Sequence, residues 1–255
     1  MNQFCPLASG SKGNSIYVGT KDTKILIDAG LSAKALQAKL SEINVDLSEI
    51  DAILLTHEHS DHIKGLGALV ARTRIPIFAN SETAKAIYSQ LDPGVKFKIF
   101  STGEAFEFGD IQIQPFSIQH DAVDPVAFTF QIGETKIGLC ADIGFSTSLV
   151  AGHLKHCDYL YIEANHEPSM VHACSRPMVY KQRVLSKQGH LSNEEAGALI
   201  QSIYHEGLKH IYLAHLSSEC NNPALALEKI QNALKGKEMS ISIAFQDKVS
   251  RLLSF

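Results

Sequence analysis

Residues 53–65 read ILLTHEHSDHIKG, a pattern that predicts a buried strand joined to a helix by a turn rich in metal-ligand side chains. The apolar run that starts at Ile53 predicts the strand, and Ser60 predicts the N-cap of a helix that runs on through Leu69. The turn carries four ligand-type side chains within six residues: His57, His59, Asp61 and His62. Imidazole and carboxylate ligands suit zinc, iron or manganese. A solvated polar turn is the alternative, but this spacing after a strand favours a metal site.

Two metal ions are expected at this turn. The side chains of Asp61 and His62 leave the first helical turn in a different direction from the two preceding histidines. We therefore expect one ion at His57 and His59. A second, adjacent ion is expected at Asp61 and His62.

The composition is that of an ordinary soluble globular protein. The chain has 255 residues, of which 45% are hydrophobic and 20% charged, and we expect a single domain over residues 1–255. It contains no apolar run of the ~20 residues that a membrane span requires, and it begins without the pattern of a secretory signal. Five cysteines without CxxC spacing are typical of reduced thiols in a cytoplasmic protein. The net charge of -4 disfavours nonspecific coating of nucleic acid, and the sequence leaves the oligomeric state open.

Strand and helix patterns alternate along the chain, which is typical of an α/β protein. Strands are predicted at 16–18, 25–28, 76–79, 111–118, 126–132, 135–139, 159–162, 211–214 and 241–245. Helices are predicted at 33–40, at 81–90 with Ser81 as N-cap, from Ser146, and at 223–234. A two-residue loop at Gly133 predicts a hairpin. The loop at 8–15, ASGSKGNS, is compatible with a phosphate contact or with a plain turn.

Several ligand-type residues stand just past the end of an apolar strand: His57, His120, Asp142, Glu163 and His215. Strand ends converge at one edge of an α/β sheet, so these residues indicate one shared site. His120 would complete the first ion, His215 would complete the second, and Asp142 would bridge both. Asp28 either braces a metal-binding histidine or caps the next helix. Five further histidines lack this context and are interpreted as surface residues: His153, His156, His172, His205 and His210.

With these residues assembled, the chain resembles the metallo-β-lactamase superfamily over nearly its whole length. The motifs that match are Asp28, the cluster at 57–62, His120, Asp142 and His215. Within the superfamily, ASGSKGNS, DAGLS, LTHEHSDHIKG, IEANHE, GHLSNEEAG and LAHLSSECNNP are similar to the YycJ/WalJ/VicX-like exonuclease subfamily, bacterial enzymes linked to DNA repair. The resemblance implies an α/β fold, the αββα four-layer sandwich of two mixed sheets with helices outside.

Other branches of the superfamily fit less well. True β-lactamases generally lack a histidine equivalent to His62, whereas His62 together with Asp142 is the ligand set of phosphodiesterases and glyoxalase II. Glyoxalase II carries a helical C-terminal extension, and only 40 residues follow His215 here. The β-CASP nucleases insert a domain between the motifs that match Asp142 and Glu163, which are only 21 residues apart in this chain.

The resemblance implies a dinuclear phosphodiesterase that uses zinc or manganese, most simply a 5′-to-3′ DNA exonuclease, with DNA favoured over RNA as the partner. Asp61 would orient the nucleophile, and a Glu163 and His190 dyad would protonate the leaving oxygen. A capping box of Ser192 and Glu195 predicts that His190 lies just before a helix. The alternative is that His190 is only a polar loop residue.

The segment between His166 and His190 contains one acidic residue, Glu167, and four basic residues. The basic residues are Arg176, Lys181, Arg183 and Lys187. They predict a phosphate clamp, in which Lys181, Arg183 and Lys187 bind substrate, although a solvated basic loop has the same pattern. Two other functions stay open at this stage. One is a small-molecule hydrolase acting on a cyclic phosphodiester or thioester with the same metals. The other is a non-catalytic nucleic-acid-binding protein, which the complete ligand set disfavours.

Overall fold

The computed structural model describes residues 1–90 and 95–255, and these residues divide into two compact units. The first unit comprises Met1–Pro115, Ala122–Val126 and Ala244–Phe255. The second comprises Phe116–Asp121 and Ala127–Ile243. The single domain expected over residues 1–255 stays a prediction. Within the described ranges, no helix is both long and apolar enough to cross a membrane.

A mixed sheet forms the frame of the first unit. Its strands are β1 (Gln3–Ala8), β2 (Ser15–Gly19), β3 (Lys24–Ile27), β4 (Ala52–Leu54), β5 (Ile77–Ala79), β6 (Phe97–Ile99) and β14 (Leu253–Ser254). The described strands follow the order β14-β1-β2-β3-β4-β5-β6. Strands β1 to β3 pair antiparallel, whereas β3 to β6 pair parallel. The carboxyl ends of β3 and β4 therefore lie side by side, and the two loops that follow them start at the same edge.

Helices cover the apolar side chains of this sheet. They are α1 (Ala33–Glu42), α2 (Ser60–Ile63), α3 (Leu66–Arg72) and α4 (Ser81–Tyr88), with a 3-10 turn at Leu47–Glu49. Helix α1 begins because the Ser32 hydroxyl accepts the N–H of Ala35, and it buries Leu36 and Leu40, which are one turn apart. These side chains join a core cluster that includes Leu26 and Ile53 from the strands.

The predicted helix from Ser60 through Leu69 is wrong in one respect, because it is broken into α2 and α3. Gly65 lies at the break, and its N–H donates to the carbonyl of Ala29 at 2.8 Å. A Cβ at Gly65 would stand 1.8 Å from the carbonyl oxygen of Leu31, so the close approach of this loop requires glycine. His59, and not Ser60, is the N-cap residue of α2, and its side chain makes no cap hydrogen bond.

The predicted start of α4 also shifts by one residue. Asn80 is the N-cap, and its side chain accepts the N–H of Thr83 at 2.8 Å. Ser81 is the first residue of the helix. Both residue types cap helices well, so the pattern alone does not choose between neighbours.

The second sheet has the order β13-β12-β11-β10-β9-β8-β7 over the described strands. These are β7 (Phe106–Phe108), β8 (Ile111–Ser117), β9 (Val126–Ile132), β10 (Thr135–Cys140), β11 (Tyr159–Glu163), β12 (His210–Ala214) and β13 (Ser240–Ile243). The predicted hairpin is confirmed, since Ile132 of β9 pairs antiparallel with Thr135 of β10. Strands β10 to β13 are parallel, so Glu163 at the end of β11 lies beside Ala214 at the end of β12.

The helices of the second unit are α5 (Ser148–Leu154), α6 (Pro168–Ala173), α7 (Met178–Val184), α8 (Asn193–Ile203) and α9 (Pro223–Ala233). The capping box of α8 is confirmed: the Ser192 hydroxyl accepts the N–H of Glu195, whose carboxylate accepts the N–H of Ser192. Helices α6 and α7 are missing from the sequence prediction, as are β1, β6, β7 and β14. All of these except β1 are short, and β1 contains Pro6, which disfavours a strand.

Candidate metal centre

Three of the predicted site residues adopt a left-handed backbone conformation within two residues of the ends of parallel strands. The φ angles are +63° at Asp28, +53° at Asp142 and +53° at His215. This conformation is unfavourable for a residue with a side chain and costs roughly 1–3 kcal/mol at each position. Such strain is typical of functional sites, where the surrounding structure holds a side chain in one direction.

In the first unit, Asp28 is buried and holds His62. The Nδ1 atom of His62 lies 2.7 Å from Oδ2 of Asp28. The Asp28 carboxylate also accepts the backbone N–H and the hydroxyl of Thr56, both at 2.9 Å. Because a carboxylate only accepts hydrogen bonds, Nδ1 of His62 carries the proton, and Nε2 is the nitrogen with the lone pair that would bind a metal.

The other ligand-type residues of the first unit gather around His62. The ring of His57 is fully buried, and its centroid lies 4.0 Å from that of His62 and 4.6 Å from that of His59. The loop at 8–15 packs against the same turn. Its Asn14 donates a backbone N–H to the Asp61 carbonyl at 2.8 Å.

Asn14 also approaches this turn with its side chain, and the sequence analysis did not identify it. Its Nδ2 lies 3.1 Å from Nε2 of His62 and 3.3 Å from Oδ2 of Asp61. Asn14 is 2% exposed. The glycine- and serine-rich composition of the loop indicated a close approach, but not what the loop would approach.

In the second unit, Glu163 is fully buried and contacts two histidines through one oxygen. Its Oε1 lies 2.8 Å from Nδ1 of His190 and 3.0 Å from Nδ1 of His215. The other oxygen, Oε2, accepts the backbone N–H groups of Ile143 and Leu191, each at 3.0 Å. Burial alone would raise the pKa of Glu163, but the charge and hydrogen bond of His190 and the hydrogen bond of His215 outweigh it and lower the pKa to about 2.

Asp142 completes this cluster. Its Oδ1 lies 3.2 Å from Nδ1 of His215 and 3.6 Å from Nδ1 of His190. One ligand atom from each of Asp142, Glu163, His190 and His215 lies within 4.8 Å of the others. Imidazole nitrogens and carboxylate oxygens at this spacing are a donor set that suits zinc or manganese, so the residues present fit a divalent ion.

His120 stands on the other side of His190, with 5.3 Å between the ring centroids. Its Nδ1 lies 3.1 Å from the carbonyl oxygen of Gly189 and therefore donates to it. Burial lowers the pKa of His120 below its usual value, although Asp142 opposes this shift. In a neutral ring that donates through Nδ1, Nε2 carries the lone pair and is the nitrogen that would bind a metal; it lies 3.3 Å from Oδ1 of Asp121.

Three buried asparagines connect the loops of the second unit, and the sequence analysis missed them. Asn165 donates to the carbonyl of His215 at 2.7 Å. Asn221 donates to the carbonyls of Ala164 and Asn165, and it forms a reciprocal amide pair with Asn193. This network joins the segments that follow β11 and β12 to the start of α8. The motifs IEANHE, GHLSNEEAG and LAHLSSECNNP each contribute one or more of its members.

The four basic residues do not act as one group. Arg176 pairs with Glu219, and Arg183 pairs with Asp121, so acidic residues outside the segment neutralise both. Lys181 donates to the carbonyl of His172 at 2.7 Å. Lys187 lies over an exposed aromatic ring, with Nζ 5.2 Å from the centroid of Phe145.

The interpretation of His210 as a surface residue is wrong. His210 is only 6% exposed, and its two ring nitrogens each lie 2.8 Å from a serine hydroxyl, of Ser240 and of Ser242. It starts the buried strand β12 and pairs with Ser240 of β13. Its position at the start of the strand, opposite to the ligand-bearing end, explains why it stands apart from the site.

Comparisons with known proteins identify the family to which this chain is similar. The family model described as "Beta-lactamase superfamily domain" matches residues 23–215. Exodeoxyribonuclease YycJ of Bacillus anthracis is 38% identical over 246 residues, which cover 95% of this chain and 93% of that protein. Exodeoxyribonuclease WalJ of Streptococcus pneumoniae is 40% identical over 250 residues, covering 96% and 92%. The crystal structure of the metallo-β-lactamase fold protein YhfI from Bacillus subtilis gives a TM-score of 0.76 at 18% identity, covering 98% of this chain and 100% of that one.

These similarities extend over nearly the whole chain. The likeness to YhfI and the two mixed sheets with their helices confirm the predicted fold class. The roles of individual residues stay predictions, since the comparisons assign none. A divalent-metal site is supported by the fold and by the histidine and carboxylate donors. The chain therefore belongs to the metallo-β-lactamase superfamily and, within it, to the family of the YycJ and WalJ proteins.

Proposed function

We propose that this protein is a two-metal phosphodiesterase that degrades DNA as an exonuclease. The observation that carries the proposal is the Glu163 and His190 contact, which places a hydrogen-bonded imidazole 3.6 Å from a carboxylate oxygen of Asp142. A cleaved phosphodiester needs a metal-activated water on one side and a proton for the departing sugar oxygen on the other. The family supports the same reaction class, since its members in Bacillus anthracis and Streptococcus pneumoniae are named exodeoxyribonucleases.

Seven residues are proposed as the ligands of two divalent ions: His57, His59, Asp61, His62, His120, Asp142 and His215. When bound, such ions lower the pKa of a coordinated water and neutralise charge on the phosphoryl oxygens. Asp28 would fix the ring of His62, and Gly189 would fix that of His120, because each accepts the Nδ1 proton. All seven donors are nitrogen or oxygen atoms, which suits zinc and manganese alike.

The chain supplies the proton transfers. Asp61, held by Asn14, would orient the attacking water through its carboxylate. Glu163 accepts from Nδ1 of His190, which fixes the ring and makes Nε2 the nitrogen that would carry the proton to be donated. As water adds to phosphorus and the bond to the sugar oxygen breaks, that proton would pass from Nε2 to the leaving oxygen.

The finer assignments follow the sequence resemblance. DNA is the proposed polymer and cleavage is proposed to run 5′ to 3′, in a cytoplasmic enzyme linked to DNA repair. Zinc and manganese are both proposed as competent ions. The decisive experiment incubates protein loaded with each metal with 5′- and 3′-labelled single- and double-stranded DNA and RNA, beside a thioester.

Mononucleotides released stepwise from DNA are the expected result. Label loss from the 5′ end before the 3′ end would support the proposed polarity. Thioester hydrolysis without DNA breakdown would instead identify a small-molecule hydrolase. Nucleic-acid binding without any cleavage, in protein that retains both ions, would identify a non-catalytic binding protein.

A further inference from the structure

A pocket of about 610 Å³ opens beside His190, and every residue that lines it belongs to the second unit. Its wall includes Phe145, His166, Leu185, Lys187, His190 and Glu194. A volume of this size falls within the range of roughly 300–1,000 Å³ that is typical of small-ligand sites. The proposed metal ligands Asp142 and His215 do not line it. The pocket is therefore a separate space next to the catalytic cluster, which it meets at His190.

Two loops whose backbones contact each other form one side of the pocket. A Cβ at Gly144 would stand 2.5 Å from the carbonyl oxygen of Lys187, and a Cβ at Gly189 would stand 2.2 Å from that of Arg183. Gly144 also donates its N–H to the carbonyl of Gln119 at 2.7 Å. Because both glycines allow backbones to touch, the wall that carries Phe145 and Lys187 is fixed before any ligand arrives.

The apolar part of this wall is unusually exposed. Phe145 is 43% exposed and Leu185 is 38% exposed, although Phe145 follows the buried Gly144 and Leu185 follows the buried Val184. Lys187 lies over the Phe145 ring, so a flat apolar face and a positive charge occur together. Stacking of a nucleobase on an aromatic ring contributes roughly 1–3 kcal/mol of binding free energy. A lysine neutralises a phosphate as a point charge.

The lining of the pocket also contains a buried imidazole. His166 is 2% exposed, and its Nδ1 has no hydrogen-bond partner. A buried polar atom without a partner costs roughly 1–3 kcal/mol, which a ligand can recover by pairing with it. Glu194 also lines the pocket, and its negative charge disfavours a phosphate beside it, which leaves Lys187 as the phosphate contact.

We propose that this pocket binds the nucleoside on the leaving-oxygen side of the scissile bond, with its base on Phe145 and its 5′-phosphate at Lys187. This inference rests on the proposed nuclease function. His190 contacts Glu163 and also lines the pocket. The nucleoside whose oxygen takes the proton from His190 must lie next to that ring, and the pocket is the adjacent space. When the leaving oxygen is a 3′-oxygen, that nucleoside is the one at the 5′ end, and the released nucleoside 5′-monophosphate is the pocket's own ligand.

The test uses the full chain as purified and the 5′-monophosphate of 2-aminopurine deoxyriboside, which contains no phosphodiester to cleave. The chain has no tryptophan, so the fluorescence of the probe is read against a low background. Saturable quenching is expected on titration with protein. Phe145→Ala should weaken binding about tenfold or more, which is the loss of one stacking contact. Lys187→Met should weaken binding of the monophosphate and leave the unphosphorylated nucleoside unchanged.

Two matched controls lie on the same segment but outside the pocket. Val179 is 76% exposed on α7, and Lys181 precedes Lys187 by six residues, yet neither lines the pocket. Val179→Ala and Lys181→Met should both bind the probe as the parent protein does. Equal affinity in the parent protein and in Phe145→Ala would overturn the proposal, and so would equal weakening by all four substitutions.

A parallel assay with labelled DNA separates this inference from the proposed function. DNA degradation by a protein that does not quench the probe would overturn the pocket assignment and retain the nuclease. Quenching that depends on Phe145 and Lys187, in metal-loaded protein that leaves DNA intact, would support the nucleotide pocket and overturn the nuclease.

Discussion

Nδ1 of His190 lies 2.8 Å from Oε1 of Glu163, at the end of β11 and just before α8. Two backbone N–H groups, of Ile143 and Leu191, hold the other oxygen of the same carboxylate. The carboxylate is therefore fixed at both oxygens, and the imidazole that it holds is fixed with it. A side chain that only needed to be polar would not require such support, which argues against His190 as a plain loop residue.

His190→Ala should lose about 10²- to 10⁴-fold in the rate of DNA cleavage, because general acid catalysis contributes about that much. A deoxyribose alkoxide is a poor leaving group and needs the proton. Nitrophenolate is stable without one, so the variant should keep most of its activity on a nitrophenyl phosphodiester. Steady-state rates on the two substrates, measured side by side, check this.

His59→Ala is the control for that comparison, since it removes a proposed metal ligand. It should lose activity on both substrates. If His190→Ala lost activity equally on the two substrates, His190 would support the metals or the fold, and its role as the leaving-group acid would be refuted.

Glu163→Gln should reduce the free energy of unfolding by about 1–3 kcal/mol, because a glutamine has one acceptor oxygen where the carboxylate has two. Its NH₂ group must then face either the N–H groups of Ile143 and Leu191 or the rings of His190 and His215. His190→Ala, which leaves the carboxylate hydrogen-bonded to the backbone, should be the less destabilised variant. Denaturant titration of the two variants and the parent compares them. The reverse order would contradict this account of Glu163.

Two divalent ions per chain are expected from elemental analysis of protein purified without chelator. Asp28→Asn should lower metal affinity roughly 10- to 100-fold, because it weakens the acceptor that fixes the His62 ring. Asp22→Asn is a matched control, since Asp22 is exposed and lies in the same unit. A stoichiometry that stays near one in metal excess, and that Asp142→Ala leaves unchanged, would contradict the dinuclear centre.

Asn221→Ala should reduce the free energy of unfolding by about 2–3 kcal/mol, since it leaves several buried groups without partners. Its neighbour Asn222 caps α9, where its side chain accepts the N–H of Ala224 at 2.8 Å, and it is exposed. Asn222→Ala should therefore cost only about 1 kcal/mol. Thermal or urea unfolding of the pair measures the difference. Equal costs would show that the asparagine network adds nothing beyond a helix cap.

The strand ends were predictable from the sequence because apolar runs with a histidine or carboxylate just behind them repeat along the chain. Strands β11 and β12 were placed to within one residue in this way. What the pattern could not give was the direction of each side chain. The left-handed backbone at Asp28 and His215, and the break at Gly65, depend on neighbouring loops that are distant in sequence.

The supporting residues were harder still to predict. Asn14 and Asn221 are ordinary turn residues by type, and only tertiary packing shows that each holds a site segment. The ion-pair partners of the charges in the segment 176–187 were equally hard to predict. The acidic partners of Arg176 and Arg183 lie 43 and 62 residues away, beyond any local window.

Among the basic residues of the segment 176–187, the structure singles out Lys187, whereas the sequence pattern does not. The sequence treats Lys181, Arg183 and Lys187 alike, but only Lys187 lines the pocket beside His190. If it neutralises one phosphate, Lys187→Met should lower the slope of log K against log salt for single-stranded DNA by about one unit. Lys181→Met should leave the slope unchanged, because its Nζ donates to the carbonyl of His172. Binding titrations of the two variants at several salt concentrations measure these slopes. Equal slopes would contradict a phosphate contact at Lys187 and identify the segment as a solvated basic surface.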